Sequence, residues 1–275
     1  MRARRHERIV NLLIGLSFFG VLAIVISIFL YVLWQGGSAI SWEYLTGMPR
    51  SRGLEGGILP AIVGTIWLTF GTLIVSVPIG ILSAIFLTEY AQEGRVVRLI
   101  NLAIVNLAGV PSVVFGLFGL ALFVLFLGLG SSLLAAAMTL GLMTLPVIVT
   151  AARESLLAVP RAYREAAFAL GATRRQTIMT HVLPYARSGI IAGVLLGLSR
   201  AMGETAPILV TGVAVALPRL PSGFGSRFMA LPYHLYISAT QVPGMPSDRI
   251  WGAALTLLVM VLALNALAGF LRSRI

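Results

Sequence analysis

Two reactive residue types are missing from this 275-residue chain: it has no cysteine, and all 20 of its basic residues are arginine. Without cysteine there is no disulfide, no thiolate nucleophile and no cysteine metal site. Without lysine there is no phosphate-binding loop of the form G-x-x-x-x-G-K-[ST], so any ATP hydrolysis must come from a partner. The three histidines, His6, His181 and His234, are scattered and offer no spacing for a metal site, so neither metal nor cofactor is expected on this chain. Charge is scarce as well, 11% against about 25% in soluble domains, while hydrophobic residues reach 58%. This is the composition of an integral membrane protein. A net charge of +11 would suggest nucleic acid in a soluble domain. Here the arginines crowd beside apolar runs, where orientation and anionic lipid account for them, and no nucleic-acid role is expected.

A membrane helix needs about 20 mainly apolar residues. Six stretches qualify: 9–33, 58–87, 99–120 or somewhat beyond, 133–151, 188–217 and 250–270. Only Gly128, Gly130, Ser131 and Ser132 mark a turn between the third and fourth. The first stretch follows Arg2, Arg4, Arg5 and Arg8 as a secretory signal would, but its apolar run is longer than a signal's and no small-residue cleavage site follows. It reads as a retained anchor. With the N-terminus inside, those four arginines, Arg95, Arg98, the six from Arg153 to Arg187, Arg272 and Arg274 are cytoplasmic, against five outside: Arg50, Arg52, Arg219, Arg227 and Arg249. The positive-inside rule selects this orientation, with both termini cytoplasmic. Residues 34–57, with Trp34, Trp42 and Tyr44, and residues 218–249, with Tyr233 and Tyr236, are then external; aromatics there anchor span ends. The second segment is rich in proline and glycine, so it is expected to be irregular or partly re-entrant, and it could present a docking surface. No internal repeat is evident.

Between the fourth and fifth stretches lies a charged, helix-prone segment, about 153–187, that the bilayer cannot hold. Pro160 suits the first turn of a helix, because its missing N–H would have had no partner there. A short helix is expected from there to Leu170, ended by Gly171 in the left-handed conformation. A second helix follows over 173–182, before Pro184 and Arg187 lead back into the membrane. Ala166, Ala167 and Ala169 give the first helix a smooth surface, and Arg161, Arg164, Arg174 and Arg175 surround it with charge. On composition alone two readings stand: an element that fits a groove on another protein, and an amphipathic helix on anionic lipid.

In the fifth stretch Arg200 and Glu204 stand four residues apart on one expected helical face, about 6 Å apart along the axis. Arg200 is about 18 Å beyond Ser188, near the centre of a roughly 30 Å core. A mid-membrane arginine costs about 2.5–3.5 kcal/mol on insertion scales and will not face lipid. Gly189, Gly193 and Gly197 continue the stripe, allowing close approach of another helix, and Pro207 frees a backbone carbonyl one turn on. The pair is either an internal salt bridge that positions the helix or an anion path. In the second reading Arg200 attracts the anion, its planar fork matching phosphate oxygens, and Glu204 limits how tightly the anion stays. Arg153, at the inner end of the fourth stretch, is a weaker candidate for the same path and is otherwise a positive-inside residue. Val110-Pro111-Ser112 can act as a further helix break or as a plain kink.

Glu165, Ala166, Ala167, Gly171, Leu183 and Pro184 stand at the spacing E-A-A, three residues, G, nine residues, I-x-L-P. In this the chain resembles the coupling loop of binding-protein-dependent ABC permeases, departing only at His181, where the family usually has isoleucine. The string Arg200-Ala201-Met202-Gly203-Glu204-Thr205-Ala206-Pro207 resembles the signature of the phosphate permeases. The runs 56–65 and 228–233 are similar to their PstA branch in particular. The resemblance implies an all-α, MetI-like type I ABC permease core of six transmembrane helices with a cytoplasmic helix-turn-helix coupling loop. It divides the chain into an N-terminal anchor with its external segment, 1–57, and an ABC transmembrane type-1 permease domain, 58–275. It also implies that the coupling residues sit in a cleft of a separate ATPase, so that the chain is not itself an enzyme. The implied partners are a second, PstC-like permease subunit, a dimeric PstB-like ATPase, and a periplasmic or lipid-anchored PstS-like phosphate-binding protein. The implied place is the bacterial plasma (inner) membrane. Other readings are an ABC permease for sulfate or molybdate, and a secondary anion transporter. The latter would need more intramembrane carboxylates, since Glu204 is the only acid well within a stretch and Glu89 lies near an end.

Overall fold

The computed structural model describes residues 2–92 and 94–273; Arg274 lies outside them, as do the side chains of residues 2–9, Arg52 and 271–273. Among the described residues, five helical segments are long and apolar enough to cross a membrane: Val10–Ala39, Leu59–Tyr90, Leu133–Leu157, Arg174–Met202 and Ser247–Phe270. They contain helices α1 (Arg2–Gly36), α3 (Leu59–Ile85), α6 (Leu133–Leu157), α9 (Leu183–Met202) and α12 (Ser247–Ser273). A sixth crossing exists only as a bent pair, α4 (Arg95–Ala108) and α5 (Ser112–Gly119), whose segments meet at 105°. Of the two readings of Val110-Pro111-Ser112, a helix break and a plain kink, the structure shows the break. Pro111 has no N–H to give and sits extended, at φ −59° and ψ 141°, and it disfavours helix at Val110.

The expected fifth span is corrected. Its helix stops at Met202, well short of Leu217, and on its other side runs back without interruption to Arg174. Pro184 does not break that run. The N–H it lacks is accommodated by a π-helical turn over Ile178–Val182, the usual adjustment where an intrahelical bond is lost. The turn between the third and fourth spans falls where the glycines place it: Gly128 and Gly130 take φ of 66° and 63°, and the Ser132 hydroxyl accepts from the Ala135 N–H to start α6.

Helix α6 is the centre of the bundle, with two thirds of its span buried, and α3 and α9 flank it. Lipid tails are as apolar as leucine, so such helices associate through close packing rather than hydrophobic exclusion. Gly80 of α3 lies against Ile148, and Gly141 of α6 against Val75. Gly189, Gly193 and Gly197 of α9 face Ser155, Ala151 and Ile148 in turn. Four buried hydroxyls of α3 are satisfied within that helix: Thr65, Thr69, Thr72 and Ser76 each donate to the carbonyl four residues back. In contrast, the most apolar stretch of α1 has no buried residue, and near the end of the helix Gly36 lies buried against the Trp251 carbonyl and the Tyr31 and Trp251 rings meet edge to face.

Between α1 and α3, helix α2 (Trp42–Thr46) and a two-stranded hairpin, β1 (Pro49–Arg50) with β2 (Glu55–Gly56), form a cap. Tyr44 is buried there and donates to the Arg249 carbonyl, while the Arg249 guanidinium lies over the Tyr44 ring and bonds the Gly56 carbonyl. Beyond α9 the chain forms one short helix, α10 (Ala206–Leu209), then irregular backbone to residue 230 and α11 (Leu231–Thr240). The irregular stretch expected over 218–249 is thus interrupted by a helix, and it begins earlier than expected. It has a definite structural task. The Thr211, Ser226 and Phe224 carbonyls accept from the N–H groups of Ser132, Leu133 and Leu134, which the start of α6 leaves without intrahelical partners.

Candidate functional site

The segment joining α6 to α9 folds as two helices around one tight turn. Helix α7 (Arg161–Ala169) begins after extended Pro160, and Gly171, at φ +82°, ends it. The Ala172 N–H reaches back to the Ala167 carbonyl and that of Gly171 to Phe168, the close of a helix that only a left-handed residue permits. Helix α8 (Arg174–Thr177) starts on a reciprocal capping box between Thr173 and Gln176. This is the helix-turn-helix expected from the sequence.

Its surface is divided sharply. Ala167 is buried against the bundle, whereas Glu165, Ala166 and Gly171 are exposed and nothing stands within 4 Å of a Cβ placed at Gly171. Leu170 is 89% exposed, and Phe168, Tyr163 and Met179 are about half exposed, which is an unusual apolar display beside the exposed Arg161, Arg174 and Arg175. Leu183 is half-buried and Pro184 exposed, both serving the return into α9. His181, the departure from the resembled pattern, is exposed and disturbs no packing.

Sequence reasoning missed the contact that joins this element to the spans. Arg164 turns inward from α7: its Nη2 lies 2.7 Å from Oε1 of Glu89, and its Nε donates to Oε2. The same guanidinium donates to the carbonyls of Leu156 and Val159, at 2.9 and 2.7 Å, and so closes the carboxyl end of α6. Glu89 is only 8% exposed, in the π-helical turn Phe86–Tyr90 that extends α3. An acid buried near a span end was the only hint available.

The charged pair lies where α9 ends. Nε of Arg200 is 3.5 Å from Oε1 of Glu204, but the helix has stopped between them, with Gly203 as its cap and the Glu204 N–H bonding the Ala201 carbonyl. The glycine stripe leads to buried Ala201, not to Arg200, which sits to one side with a half-exposed side chain. The expectation that the charges continue the glycine face is therefore corrected: glycines must face α6 to fit it, and a residue one position away points elsewhere. By the register of Gly197 against Ile148 and Thr144, Ala201 falls about 10–15 Å from the start of α6, so the pair is level with the interior of its neighbour. Irregular backbone at such depth must be covered by protein or water. Part of the cover is visible. Pro207 is buried against Gly116 of α5, and a cavity of about 320 Å³ opens beside Thr205, walled by Val113, Leu117, Leu209 and Tyr236.

Arg153 is not part of this arrangement. Its Nη1 donates to Asn101 of α4 at 2.9 Å, and it lies about 14 Å from Arg200 along the bundle by the register of Gly193 against Ala151. It borders a separate polar cavity of about 520 Å³ with Arg98, Asn101 and Thr88.

Comparison with known proteins agrees with this anatomy. Residues 76–275 match the family described as binding-protein-dependent transport system inner membrane component. The phosphate transport system permease protein PstA 1 of Mycobacterium tuberculosis is 34% identical over 275 residues, covering 97% of this chain and 90% of that one. A probable phosphate transport system permease protein PstA of Methanocaldococcus jannaschii is 33% identical, covering 76% of this chain and 74% of its own. Among solved structures, an inward-facing MetNI methionine ABC transporter superposes with a TM-score of 0.61 at 18% identity, over 79% of this chain and 94% of that one. A bacterial transporter that imports alginate does so with 0.59 at 15% identity, over 94% and 96%. These last two share the fold, a MetI-like permease core. The chain belongs to the family of binding-protein-dependent ABC transport inner membrane components.

Proposed function

We propose that this chain is the membrane-path subunit of an ATP-driven importer of inorganic phosphate. The observation that carries the reading is the half-exposed Arg200, paired with Glu204 where α9 breaks inside the bundle. A guanidinium at that depth does not face lipid, so its open side belongs to an aqueous path or a second subunit. Its planar fork suits a tetrahedral oxyanion, and Glu204 keeps the attraction weak enough for release. The phosphate named in the 34%-identical relatives supports the choice of ion over sulfate or molybdate.

Moving one charge against 100 mV costs about 2.3 kcal/mol, and a dianion entering a negative cell costs about twice that before any gradient is counted. A passive path would leak phosphate outward. The chain has no lysine for a P-loop, so the energy comes from a separate, dimeric ATPase that receives α7. A homologous second permease subunit completes the path, and an external phosphate-binding protein delivers the ion and supplies most of the selectivity. In this arrangement α7 and both termini are cytoplasmic, in a bacterial plasma membrane; residues 1–57 anchor and 58–275 transport. The chain itself holds no cofactor.

The test is purification with the natural partners and reconstitution in liposomes. Phosphate-loaded binding protein should stimulate ATP hydrolysis and uptake, and sulfate should not. Accumulation by this subunit alone, without companion proteins, would overturn the reading.

A further inference from the structure

We infer that the Arg164–Glu89 pair is the tie through which displacement of α7 reaches the spans, so that these two residues position the coupling element for the energy-using step. The inference rests on the reading of α7 as the ATPase-docking element.

Helix α7 is bounded by a non-helical residue at each end. It enters through extended Pro160, at φ −57° and ψ 140°, and leaves through Gly171, at φ +82°. A nine-residue helix between two such turns would swivel when pushed, and the push would be lost in the turns. Arg164 prevents this. One guanidinium binds the Glu89 carboxylate through two nitrogens and also takes the Leu156 and Val159 carbonyls. Those partners belong to the extension of α3, the end of α6 and the loop into α7, so one planar group joins three elements that meet nowhere else through side-chain polar bonds among the described residues. The fork fixes orientation as well as distance, which a point charge does not. The carboxyl end of α6 carries the negative end of its dipole, which holds the cation there. Burial adds to the constraint: the side chains of Arg164 and Glu89 are 19% and 9% exposed, so water competes poorly for either. The next residue along α7, Glu165, faces out to the partner, so the docking surface and the tie are adjacent on a single helical turn.

The decisive quantity is phosphate transported per ATP hydrolysed, measured on the reconstituted complex and normalised to assembled complex. A residue that only supports folding changes the amount assembled and leaves this ratio alone. Glu89→Gln should lower the ratio by about tenfold with the ATPase still copurifying. Arg164→Lys, which keeps the charge but loses the fork, should lower it less. A wild-type ratio in Arg164→Lys together with Glu89→Gln overturns the inference, and if Glu89→Gln fails to assemble, a wild-type ratio in Arg164→Lys alone does so. Glu165→Arg separates this from the underlying reading. If it uncouples transport while Glu89→Gln does not, only the tie is wrong; if it changes neither copurification nor ratio, α7 does not dock the ATPase at all.

Discussion

The Arg200 guanidinium reaches Glu204 across a place where the helix carrying it has already ended, at 3.5 Å between Nε and Oε1. In a continuous helix such a pair would be held by the backbone. Here it spans a break, and the acid sits in the short non-helical link between Gly203, which ends α9, and Thr205, which precedes α10. The half-exposed guanidinium is therefore held by one long contact, as the proposed anion path requires.

Substitution of Arg200 by glutamine should lower phosphate uptake of the reconstituted complex by at least about an order of magnitude while the complex still assembles. Arg200→Lys should fall between, because it keeps the charge without the planar fork. Uptake by transport assay and assembly by size-exclusion chromatography check both; normal uptake by the glutamine variant would remove Arg200 from the path.

The glycines of α9 differ in how much room they leave. A Cβ on Gly193 would overlap that of Ala151, whereas one on Gly197 would come 3.2 Å from Cγ1 of Ile148, a tight contact that a shift of a few tenths of an ångström relieves. Gly193→Ala should therefore cost about 1–3 kcal/mol of stability and Gly197→Ala distinctly less. Thermal unfolding in detergent gives the comparison, and equal losses would contradict the packing described.

Gly171 tests the turn between the two coupling helices. Its φ of +82° is costly for any residue with a Cβ, although space is open around it. Gly171→Ala should loosen the turn by about 1–2 kcal/mol, and Gly171→Pro, with φ held near −65°, should abolish it. Hydrogen exchange of residues 160–177 should rise while the spans stay protected.

His234 supplies a pH dependence. It lies in α11, outside the membrane-crossing segments, 8% exposed, and burial together with the nearby Arg249 charge lowers its pKa from 6.5 to about 4. The unfolded chain binds this proton more readily than the folded one between those values. Stability from the neutral ring is thus fully present above pH 6.5 and is lost as pH falls toward 4, by on the order of 3 kcal/mol. His234→Gln should flatten the fall in unfolding temperature between pH 7 and pH 4.5; an unchanged slope would assign it to other groups.

Much of this protein was determined by the sequence alone, because the rules involved act over a few residues. Apolar run length sets the spans, proline and glycine place the ends of α7, and the absence of lysine and cysteine removes whole chemistries before any fold is known. Pro111 signalled a break on the same basis, yet its 105° depends on α5 packing through Gly116 against Pro207, ninety-one positions along the chain. Arg200 and Glu204 were legible as a pair, but the stop at Met202 was not. That stop depends on a loop whose distant carbonyls close α6 rather than continuing a helix of its own. The meeting of Arg164 with Glu89, 75 residues apart, is likewise a tertiary outcome. Local sequence decides which backbone shapes are available. Which face of each helix turns to which neighbour is decided by how glycines, buried hydroxyls and unpaired carbonyls across the whole bundle find partners at once.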